Sequence, residues 1–459
     1  MSLDMSIDRT AKPTGIAGSE TTAAPCLESP FPNAAVAWLA VAILLTLSFL
    51  AFLDRQIVSL MVGMIKADFA VNDSQIGLLQ GAAFSIVYTL AALPFGYAVD
   101  RYSRRGTIFF GVFLWALAAC ACGLSGSFST LLAARLGVGL GEAALNPAIA
   151  SMLTDLFPKR RLAFAFSVVG VGSLIGSAGA FMVGGAVLHW AGGGLTLPLL
   201  GFMAPWKVAF IVTGFPGLFL AFTIFLIPEP ARRATALDSV AQKPRWSEVW
   251  AFIGAHPRFF SCYIGGFSCL AVTGYAAMSW VPAQLQRNWG WTPGDVGLIL
   301  GPYVAIIGII GTLTSGVFVD RLYNKGHLDA QARYYLAISV ITGASGVATI
   351  FAGSPLLYLI LLAPAKFAAN FSAVATAGLQ LVIPSNLRGR ITAVYGICTV
   401  FCGATFGPSI VACFTDYVFQ DEKKVGLSIS VTLVIFSIAA AILFRLAQAP
   451  MRRATAMAG

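Results

Sequence analysis

Apolar runs long enough to cross a membrane recur along the whole chain, and short polar or charged breaks separate them. A membrane-spanning helix needs about 20 predominantly apolar residues. Twelve runs reach or nearly reach that length, and each of them predicts one spanning helix. Their approximate bounds are 36–65, 75–99, 106–126, 130–154, 162–188, 206–227, 258–286, 293–319, 334–353, 355–382, 389–415 and 425–447.

A longer polar break divides the twelve runs into two sets of six. Trp246 and Trp250 lie in this break at i, i+4 spacing, which indicates either a short amphipathic helix at the membrane surface or an ordinary linker anchored by tryptophans. We favour the ordinary linker. The predicted organisation is a flexible cytoplasmic tail, a first bundle, a cytoplasmic linker, a second bundle and a second cytoplasmic tail, over residues 1–35, 36–227, 228–257, 258–447 and 448–459.

The composition is that of a membrane protein. Hydrophobic residues make up 58% of the 459 residues and charged residues 10%, whereas about 25% of the residues of an average soluble protein are charged. The mean hydropathy is +0.82. The predicted fold class is therefore an all-α membrane protein with twelve transmembrane helices in two pseudo-symmetric six-helix bundles.

The net charge of +10 would also suit a nucleic-acid-binding protein, but its distribution favours membrane topology. Cytoplasmic connections carry an excess of Lys and Arg. If the N-terminus is cytoplasmic, the cytoplasmic connections hold Arg101, Arg104, Arg105, Lys159, Arg160, Arg161, Arg232, Arg233, Lys243, Arg245, Arg258, Arg321, Lys325, Arg333, Arg388 and Arg390. The outer ends hold only Lys66, Lys207, Arg287, Lys423 and Lys424. We therefore predict two cytoplasmic termini and no nucleic-acid partner.

The two halves are repeats of each other. The segment GLLQGAAFSIVYTLAALPFGYAVDR (77–101) aligns without gaps on GLILGPYVAIIGIIGTLTSGVFVDR (297–321) at a constant offset of 220 residues. Both segments occupy the second helix of their half. Repeated six-helix halves are typical of secondary transporters, which place the substrate site between the halves near the midplane of the membrane.

The end of the first repeat, GYAVDRYSRR (96–105), resembles the Gly-x-x-x-Asp-Arg-x-x-Arg-Arg motif of the major facilitator superfamily. A glycine there allows close helix packing, and an aspartate is suited to face the positive N-terminus of a helix. The resemblance implies that this helix is the eleventh, which begins near Arg388. We interpret the motif as a cytoplasmic gate, with one of its three arginines paired with Asp155. The predicted gate residues are Gly96, Asp100, Arg101, Arg104, Arg105, Asp155, Asp320 and Arg321.

Five ionisable residues lie inside predicted spanning helices, namely Asp54, Arg55, Arg135, Glu142 and Lys366. At a rise of 1.5 Å per residue, Asp54, Glu142 and Lys366 lie about 16–18 Å from the outer ends of their helices, near the midplane. A charge at the bilayer centre costs at least about 2.5 kcal/mol on insertion scales. Buried structural ion pairs are the alternative, but intramembrane charges favour a role in substrate binding and proton coupling.

These charges suggest how protons and substrate are coupled. A carboxylate buried in an apolar bundle takes up a proton more readily than one in water, and a neighbouring arginine opposes that uptake. An anionic substrate that draws the arginine away would therefore link substrate binding to proton binding. The candidate pairs are Asp54 with Arg55 and Glu142 with Arg135, and the sequence leaves open which carboxylate carries the proton. We expect protons as the coupling ion and no other cofactor.

Signatures of enzymes and metalloproteins are missing from the sequence. It contains no P-loop, dinucleotide-binding fingerprint or H-E-x-x-H zinc motif. Seven of the eight cysteines lie in apolar segments, where free buried thiols are expected, and the three histidines are far apart. The chain is therefore predicted to be neither an enzyme nor a metal-binding protein.

Other segments resemble the spinster-like branch of the superfamily. They are FLDR in the first helix, GLLQ and FGYAVDR in the second, GEA and LTDLFPKRR in and after the fourth, and WKVAFIVTGFPGL with PEP at the sixth. The resemblance covers the N-terminal half better than the C-terminal half. It implies transport of amphipathic lipids such as lysophospholipids or sphingosine 1-phosphate. By position, Asp54, Arg55, Arg135 and Glu142 match the charged cavity residues of that branch, whereas Lys366 is proposed on depth alone.

Two alternatives remain. Symporters of sugar acids and other organic anions also pair Asp-Arg in the first helix with Arg-x6-Glu in the fourth, so a small organic anion is the alternative substrate. A transporter-fold receptor is the alternative from another class, but it would normally need an extra cytoplasmic domain, which we do not expect here. We predict a monomer in a bacterial inner membrane whose partners are membrane lipids and an anionic or zwitterionic amphipath.

Overall fold

The computed structural model describes residues 31–197, 201–230, 232, 245–368, 370–384 and 386–458. Most of the predicted N-terminal tail and much of the predicted linker lie outside these residues. The twelve long helical segments are α1 (Ala34–Leu60), α2 (Asp73–Arg101), α3 (Arg104–Gly123), α4 (Phe128–Leu156), α5 (Arg160–Ala191), α6 (Pro205–Leu226), α7 (Pro257–Trp289), α8 (Pro293–Asn324), α9 (Ala330–Thr349), α10 (Pro355–Val382), α11 (Arg388–Phe419) and α12 (Glu422–Ala456).

These helices confirm the predicted fold class. In the described part of the chain, eleven of them are long and apolar enough to cross a membrane, and α9 is a further helix of 20 residues. A short helix, Val62–Phe69, connects α1 with α2. Between α5 and α6, strands β1 (Leu195–Leu197) and β2 (Gly201–Met203) form an antiparallel pair that the hydrophobic pattern did not predict.

Several helices begin where a small polar residue caps them. Asn72, Ser103, Ser127 and Thr292 each accept a hydrogen bond from the backbone N–H three residues later, at the starts of α2, α3, α4 and α8. Such caps satisfy backbone groups that have no partner within the helix. The polar breaks in the sequence therefore set where the apolar helices begin.

Two of the spanning helices are interrupted partway across. In α4, one helical part ends at Glu142 and the next begins at Leu145. In α10, the first part ends at Ala368 and the second begins at Ser372. Interrupted helices of this kind are common where a transporter-type fold surrounds a cavity.

Contacts between helix ends define two faces of the bundle. At one face, which we call the terminal face, the start of α1 packs through Trp38 onto the α4–α5 connection, and Asp329 before α9 lies 3.5 Å from Arg452 near the end of α12. The opposite face, which we call the far face, carries the start of α2 and the end of α7, where Asp73 pairs with Arg287.

The two halves touch closely where α2 crosses α11. A Cβ added at Gly77 would lie 2.8 Å from the Cβ of Ala412, and one added at Gly81 would lie 2.7 Å from the carbonyl oxygen of Ala404. One helical turn further along, the hydroxyl groups of Ser85 and Thr405 are 2.7 Å apart. The glycines therefore allow backbone-to-backbone packing near the far face.

The second repeat makes the equivalent contact where α8 crosses α5. Gly297 and Gly301 correspond to the two glycines of the first repeat, and they pack against Phe181 and Met182 of α5. Gly185 contributes from the other side, because a Cβ there would lie 2.7 Å from the carbonyl oxygen of Pro293. The sequence repeat is thus a repeat of the contact between the halves.

The outside of the bundle is apolar, as a membrane requires. Large hydrophobic side chains are strongly exposed on α2, α3, α8 and α9, including Leu90, Leu93, Phe110, Leu313 and Val340. Soluble proteins rarely expose such extensive apolar surface. These residues are positioned to contact lipid.

Two segments that we predicted as a linker and a tail contain helix. Trp246–Ala255 forms a helix in the linker, so our preference for an ordinary linker was wrong there. Glu248 caps this helix at Arg245, and its Val249 is buried, while Trp246 and Trp250 remain 50% and 57% exposed. At the other end, α12 continues through residues that we expected to form the C-terminal tail.

The contact between α5 and α8 can be tested with two glycines of the same helix. Gly185→Ala should lower the unfolding temperature of the purified protein, because overpacking a close contact costs about 1–3 kcal/mol. Gly170→Ala is the matched control, since a Cβ at Gly170 would meet nothing within 4 Å. Equal unfolding temperatures for the two variants would contradict the proposed closeness of the contact.

Candidate functional site

An ion pair joins α1 to α4 deep within the first half. Nη2 of Arg55 donates to Oε2 of Glu142 at 2.5 Å, and Glu142 is 2% exposed. The Arg55 guanidinium also lies over the rings of Phe52, Phe84 and Tyr88, with centroid distances of 4.9, 4.5 and 5.3 Å. Cation–π contacts of this kind hold an arginine in place even where it is not paired.

Asp54 and Arg135 lie side by side without forming an ion pair. Nη1 of Arg135 donates to the backbone carbonyl oxygen of Asp54 at 3.3 Å, and both residues are 1% exposed. Among the described residues, neither carboxylate oxygen of Asp54 has a hydrogen-bond partner, and the same holds for Nε and Nη2 of Arg135. The two residues are therefore neighbours whose charged groups are not paired with each other in this structure.

The structure thus pairs the charges differently from the sequence interpretation. We had grouped Asp54 with Arg55 and Glu142 with Arg135, but Arg55 contacts Glu142 and Arg135 contacts the backbone of Asp54. Neighbouring residues on a helix point about 100° apart, and residues seven apart are about 10 Å apart along the axis. The contacts between α1 and α4 are therefore shorter than those between charged residues of the same helix.

A central cavity of about 190 Å³ lies between the two halves. Residues of α1 and α5 form one wall, and residues of α7, α8 and α10 form the other. The polar residues that line it are Gln56, Ser177, Tyr275, Lys366 and Asn370. Lys366, which sequence analysis proposed from depth alone, therefore lies in the second half and faces the space between the halves.

A second, water-sized cavity adjoins the Arg55–Glu142 pair. Both residues line it together with Tyr88 and Asn146, whose side chains are joined by a hydrogen bond of 2.7 Å. Phe52 lines this small cavity and the central cavity alike. One aromatic ring therefore stands between the ion pair of the first half and the space between the halves.

The predicted gate motif is only partly engaged. Asp100, Arg101, Asp320 and Arg321 are all exposed, and a Cβ at Gly96 would meet nothing within 4 Å. Asp100 forms no hydrogen bond or ion pair within the described segments. The motif therefore does not join the halves at the terminal face in this conformation.

Of the three arginines after Asp100, Arg104 is the one that pairs with Asp155. Its Nη1 lies 2.5 Å from Oδ2 of Asp155, and the Arg104 side chain is 2% exposed. This pair connects the start of α3 with the end of α4 within the first half. Arg105 instead donates to the carbonyl oxygen of Ile227 at 2.9 Å.

Glu229, which sequence analysis missed, organises this basic cluster. Its carboxylate accepts hydrogen bonds from the Ser103 hydroxyl and from the backbone N–H groups of Arg104 and Arg105, at 2.7, 2.9 and 3.2 Å. Burial alone would raise the pKa of Glu229. These hydrogen bonds and the charge of Arg104 outweigh that effect, so the pKa lies below its ordinary value. The PEP segment thereby caps α3.

An ion cluster at the far face joins the halves. The Asp73 carboxylate, which is inaccessible to solvent, accepts two hydrogen bonds of 2.7 Å from Arg287 and one from Lys66. Lys66 also lies 2.8 Å from Glu422. From the second half, Asp416 accepts a hydrogen bond of 2.6 Å from the backbone N–H of Ser74. We call these residues the far-face clasp.

Sequence analysis counted Lys66 and Arg287 only as outer-end charges, and it did not consider Asp73. The available signal was the Asn-Asp-Ser segment at the start of α2, which is polar beyond what a helix cap needs. Its distant partners, Arg287 and Asp416, come from α7 and α11, more than 200 residues later in the chain. A single sequence does not show such pairings.

Among the described residues, eleven candidate membrane-spanning helices and a twelfth long helix form two repeated halves, with a cavity between them and ionisable groups in its walls, and this arrangement is that of a membrane transporter. The chain belongs to the Major Facilitator Superfamily, which matches residues 44–408. It is therefore a multi-pass integral membrane transporter and not an enzyme, as the sequence predicted.

Several characterised transporters are similar in sequence. An MFS-type efflux pump of Mycolicibacterium smegmatis is 25% identical over 425 residues, which cover 91% of this chain and 94% of the pump. The D-galactonate transporter of Escherichia coli is 24% identical over 384 residues, which cover 78% of this chain and 84% of that transporter. Protein spinster of Drosophila melanogaster is 25% identical over 416 residues, which cover 84% of this chain and 63% of spinster.

The fold has a close counterpart among solved structures. A bacterial homologue of the human lysosomal transporter Spinster, crystallised in an inward-facing and unoccupied conformation, has a TM-score of 0.75 and 20% identity, with 93% of this chain and 98% of that chain covered. The predicted similarity to the spinster-like branch is confirmed. Relatives named for sugar acids are present as well, whereas the name of the spinster protein gives no substrate.

Removing the central charge of the far-face clasp should destabilise it. Asp73→Asn would leave Arg287 and Lys66 without their shared carboxylate, and breaking a buried ion pair costs about 3–5 kcal/mol. We expect a lower unfolding temperature and a broader distance distribution between spin labels placed across the far face. Asp421→Asn, at an exposed aspartate of the same face, is the control and should leave both measurements unchanged.

The role of Glu229 predicts a pH-dependent stability difference. Because folding lowers its pKa, the stabilisation is complete above the ordinary glutamate value of about 4.3 and is lost as the pH falls through the lowered value. The difference in unfolding temperature between the wild type and Glu229→Gln should be constant from about pH 7 to 5 and shrink below about pH 4. A difference that stays constant down to about pH 3 would contradict this role of Glu229.

Proposed function

We propose that the protein is a proton-coupled secondary transporter that moves amphipathic, lipid-like anions or zwitterions of the lysophospholipid or sphingosine-phosphate type. The observation that supports this most directly is the arrangement of charges in the first half. The Arg55–Glu142 ion pair borders the central cavity through Phe52, and the unpaired Asp54 and Arg135 lie behind it. Intramembrane groups of this kind mark proton and substrate pathways.

The two carboxylates act as alternative proton sites in this proposal. An ionised carboxylate without hydrogen-bond donors is costly to bury, which favours a proton on Asp54 in the present arrangement. Nη1 of Arg135 now lies 3.3 Å from the backbone oxygen of Asp54. Loss of the proton would draw Arg135 from that oxygen to the Asp54 carboxylate. A proton on Glu142 would instead release Arg55, which lies beside the central cavity.

Alternating access follows from how the halves are joined. The far-face clasp and the glycine contacts hold the far face together, while the gate motif at the terminal face is exposed. We infer that the central cavity opens towards the terminal face in this conformation. From the distribution of Lys and Arg, we propose that this face is cytoplasmic, that both termini lie there, and that the protein works as a monomer in the bacterial inner membrane.

A small organic anion such as a sugar acid is the second candidate substrate. The D-galactonate transporter is about as similar to this chain as spinster is. The resemblance of the sequence to both groups implies that both carry Asp-Arg in the first helix and Arg-x6-Glu in the fourth. These four charges support proton coupling to an anion, and they do not separate a lipid from a sugar acid.

Uptake into proteoliposomes tests the proposed function. We expect an imposed proton gradient to drive uptake of a labelled lysophospholipid by the wild type, and Arg55→Ala to abolish it. Asp54→Asn and Glu142→Gln should each strongly lower gradient-driven uptake, because an intramembrane carboxylate that carries the proton cannot do so as an amide.

Two results would argue against the proposal. If both neutral variants keep the full dependence on the proton gradient, neither carboxylate couples protons. If the well-folded wild type takes up labelled D-galactonate but no lysophospholipid, the organic anion is the substrate class. Thr46→Ala, a change on the same helix away from both cavities, should leave uptake unaffected.

A further inference from the structure

Lys366 is a buried basic residue that lacks an anionic partner among the described residues. It is 7% exposed, and its ammonium group makes a single hydrogen bond, to the sulfur atom of Met278 at 3.4 Å. Thioether sulfur is a weak acceptor. An ammonium group buried without a carboxylate is strongly unfavourable. The lysine therefore does not stabilise the fold in this conformation, and a ligand role accounts better for its position.

The interruption of α10 places a helix start beside this lysine. The helical part Ser372–Val382 begins without a side-chain cap, and Asn370 and Phe371, which precede it, both line the central cavity. Nδ2 of Asn370 donates to the carbonyl oxygen of Lys366 at 3.3 Å. The free N–H groups and dipole of a helix start favour an anion. Two independent features thus favour negative charge at the same place.

The arginine of the opposite wall does not provide this site. Arg55 is held by Glu142 at 2.5 Å and is surrounded by three aromatic rings. Its charge is already balanced within the first half. Lys366 is therefore the cation of the central cavity that an incoming anion can neutralise.

The remaining walls of the cavity are mostly apolar. They are formed by side chains of both halves, chiefly Phe52, Leu174, Met278, Val304 and Phe371. Apolar walls bind apolar parts of a ligand and leave the hydroxyl groups of a sugar unsatisfied. The cavity therefore combines Lys366 and four further polar residues with walls that are otherwise apolar.

We propose that Lys366, with the start of Ser372–Val382, binds the anionic group of the substrate, and that the substrate carries one carboxylate or phosphate group on an otherwise apolar molecule. This rests on the proposed transport function and specifies its substrate class. It assigns the anion to the second half and leaves the proton sites in the first. Substrate binding would then add a charge contact on the wall opposite the proton sites.

Equilibrium binding to the full-length protein in nanodiscs tests the assignment. The probes are oleoyl lysophosphatidic acid, which is a single-chain phosphate monoester, and the matching neutral monoacylglycerol. Lys366→Met keeps the length of the side chain and removes its charge. We expect it to weaken binding of the phosphate at least tenfold, or about 1.4 kcal/mol, and to leave the neutral probe unaffected. Lys366→Arg should retain most of the affinity, and Lys423→Met, at an exposed lysine, should retain all of it.

Thermal unfolding separates this role from a structural one. Since the unpartnered charge is unfavourable in the apo protein, Lys366→Met should unfold at the same or a higher temperature than the wild type. A lysine that stabilised the fold would give a variant that unfolds at a lower temperature.

The outcomes distinguish the inference from the function on which it rests. Equal affinity of the wild type and Lys366→Met for the phosphate probe would overturn the inference, even if proton-driven lysophospholipid uptake were observed. Saturable binding of D-galactonate alone would overturn the apolar part of the assignment. Absence of binding of either anion to the wild type would overturn it entirely. Loss of proton dependence with intact, Lys366-dependent binding would count against the proposed coupling and not against the anion site.

Discussion

The contact between repeated glycines at the far face is the constraint on which the rest of the structure depends. Gly77 and Gly81 let α2 reach the backbone of α11, and Gly297 and Gly301 let α8 reach α5. These crossings lie near the far-face ends of α2 and α8, so the backbones of the two halves approach each other closely there. The far-face clasp adds charge complementarity to a contact that the glycines make possible.

With the halves positioned in this way, the ionisable groups are divided unequally between them. The first half holds two carboxylates and two arginines that can exchange partners over short distances, whereas the second half presents Lys366 to the cavity. An equilibrium between two conformations shifts only if a ligand interacts differently with each. In the proposed mechanism, a proton in the first half changes the charge on one side of Phe52. An anion at Lys366 changes the charge in the central cavity on its other side. Coupling between them therefore requires no direct contact between proton and substrate.

Sequence reasoning predicted the helices, the repeat and the family because each depends on local pattern. It also found the five intramembrane ionisable residues, since a charge in an apolar run is visible without a structure. The pairing of Arg55 with Glu142 was missed because side-chain direction around a helix decides it, and sequence spacing favoured other pairs. Glu229 and Asp73 were missed for a different reason. Both lie at membrane surfaces, where charges are expected, and their partners are fixed only when distant segments meet.

The substrate class depends on the walls of the cavity more than on its charges. A sugar acid carries several hydroxyl groups, and a site that recognises it must supply a hydrogen-bond partner for each group that it desolvates. The cavity offers few such partners beyond Gln56, Ser177, Tyr275 and Asn370, and Asn370 already donates to the backbone of Lys366. Phe52 and Leu174 instead provide apolar contact area beside a cation. Although spinster and galactonate transporters are similarly related to this chain, these walls therefore favour an amphipathic anion.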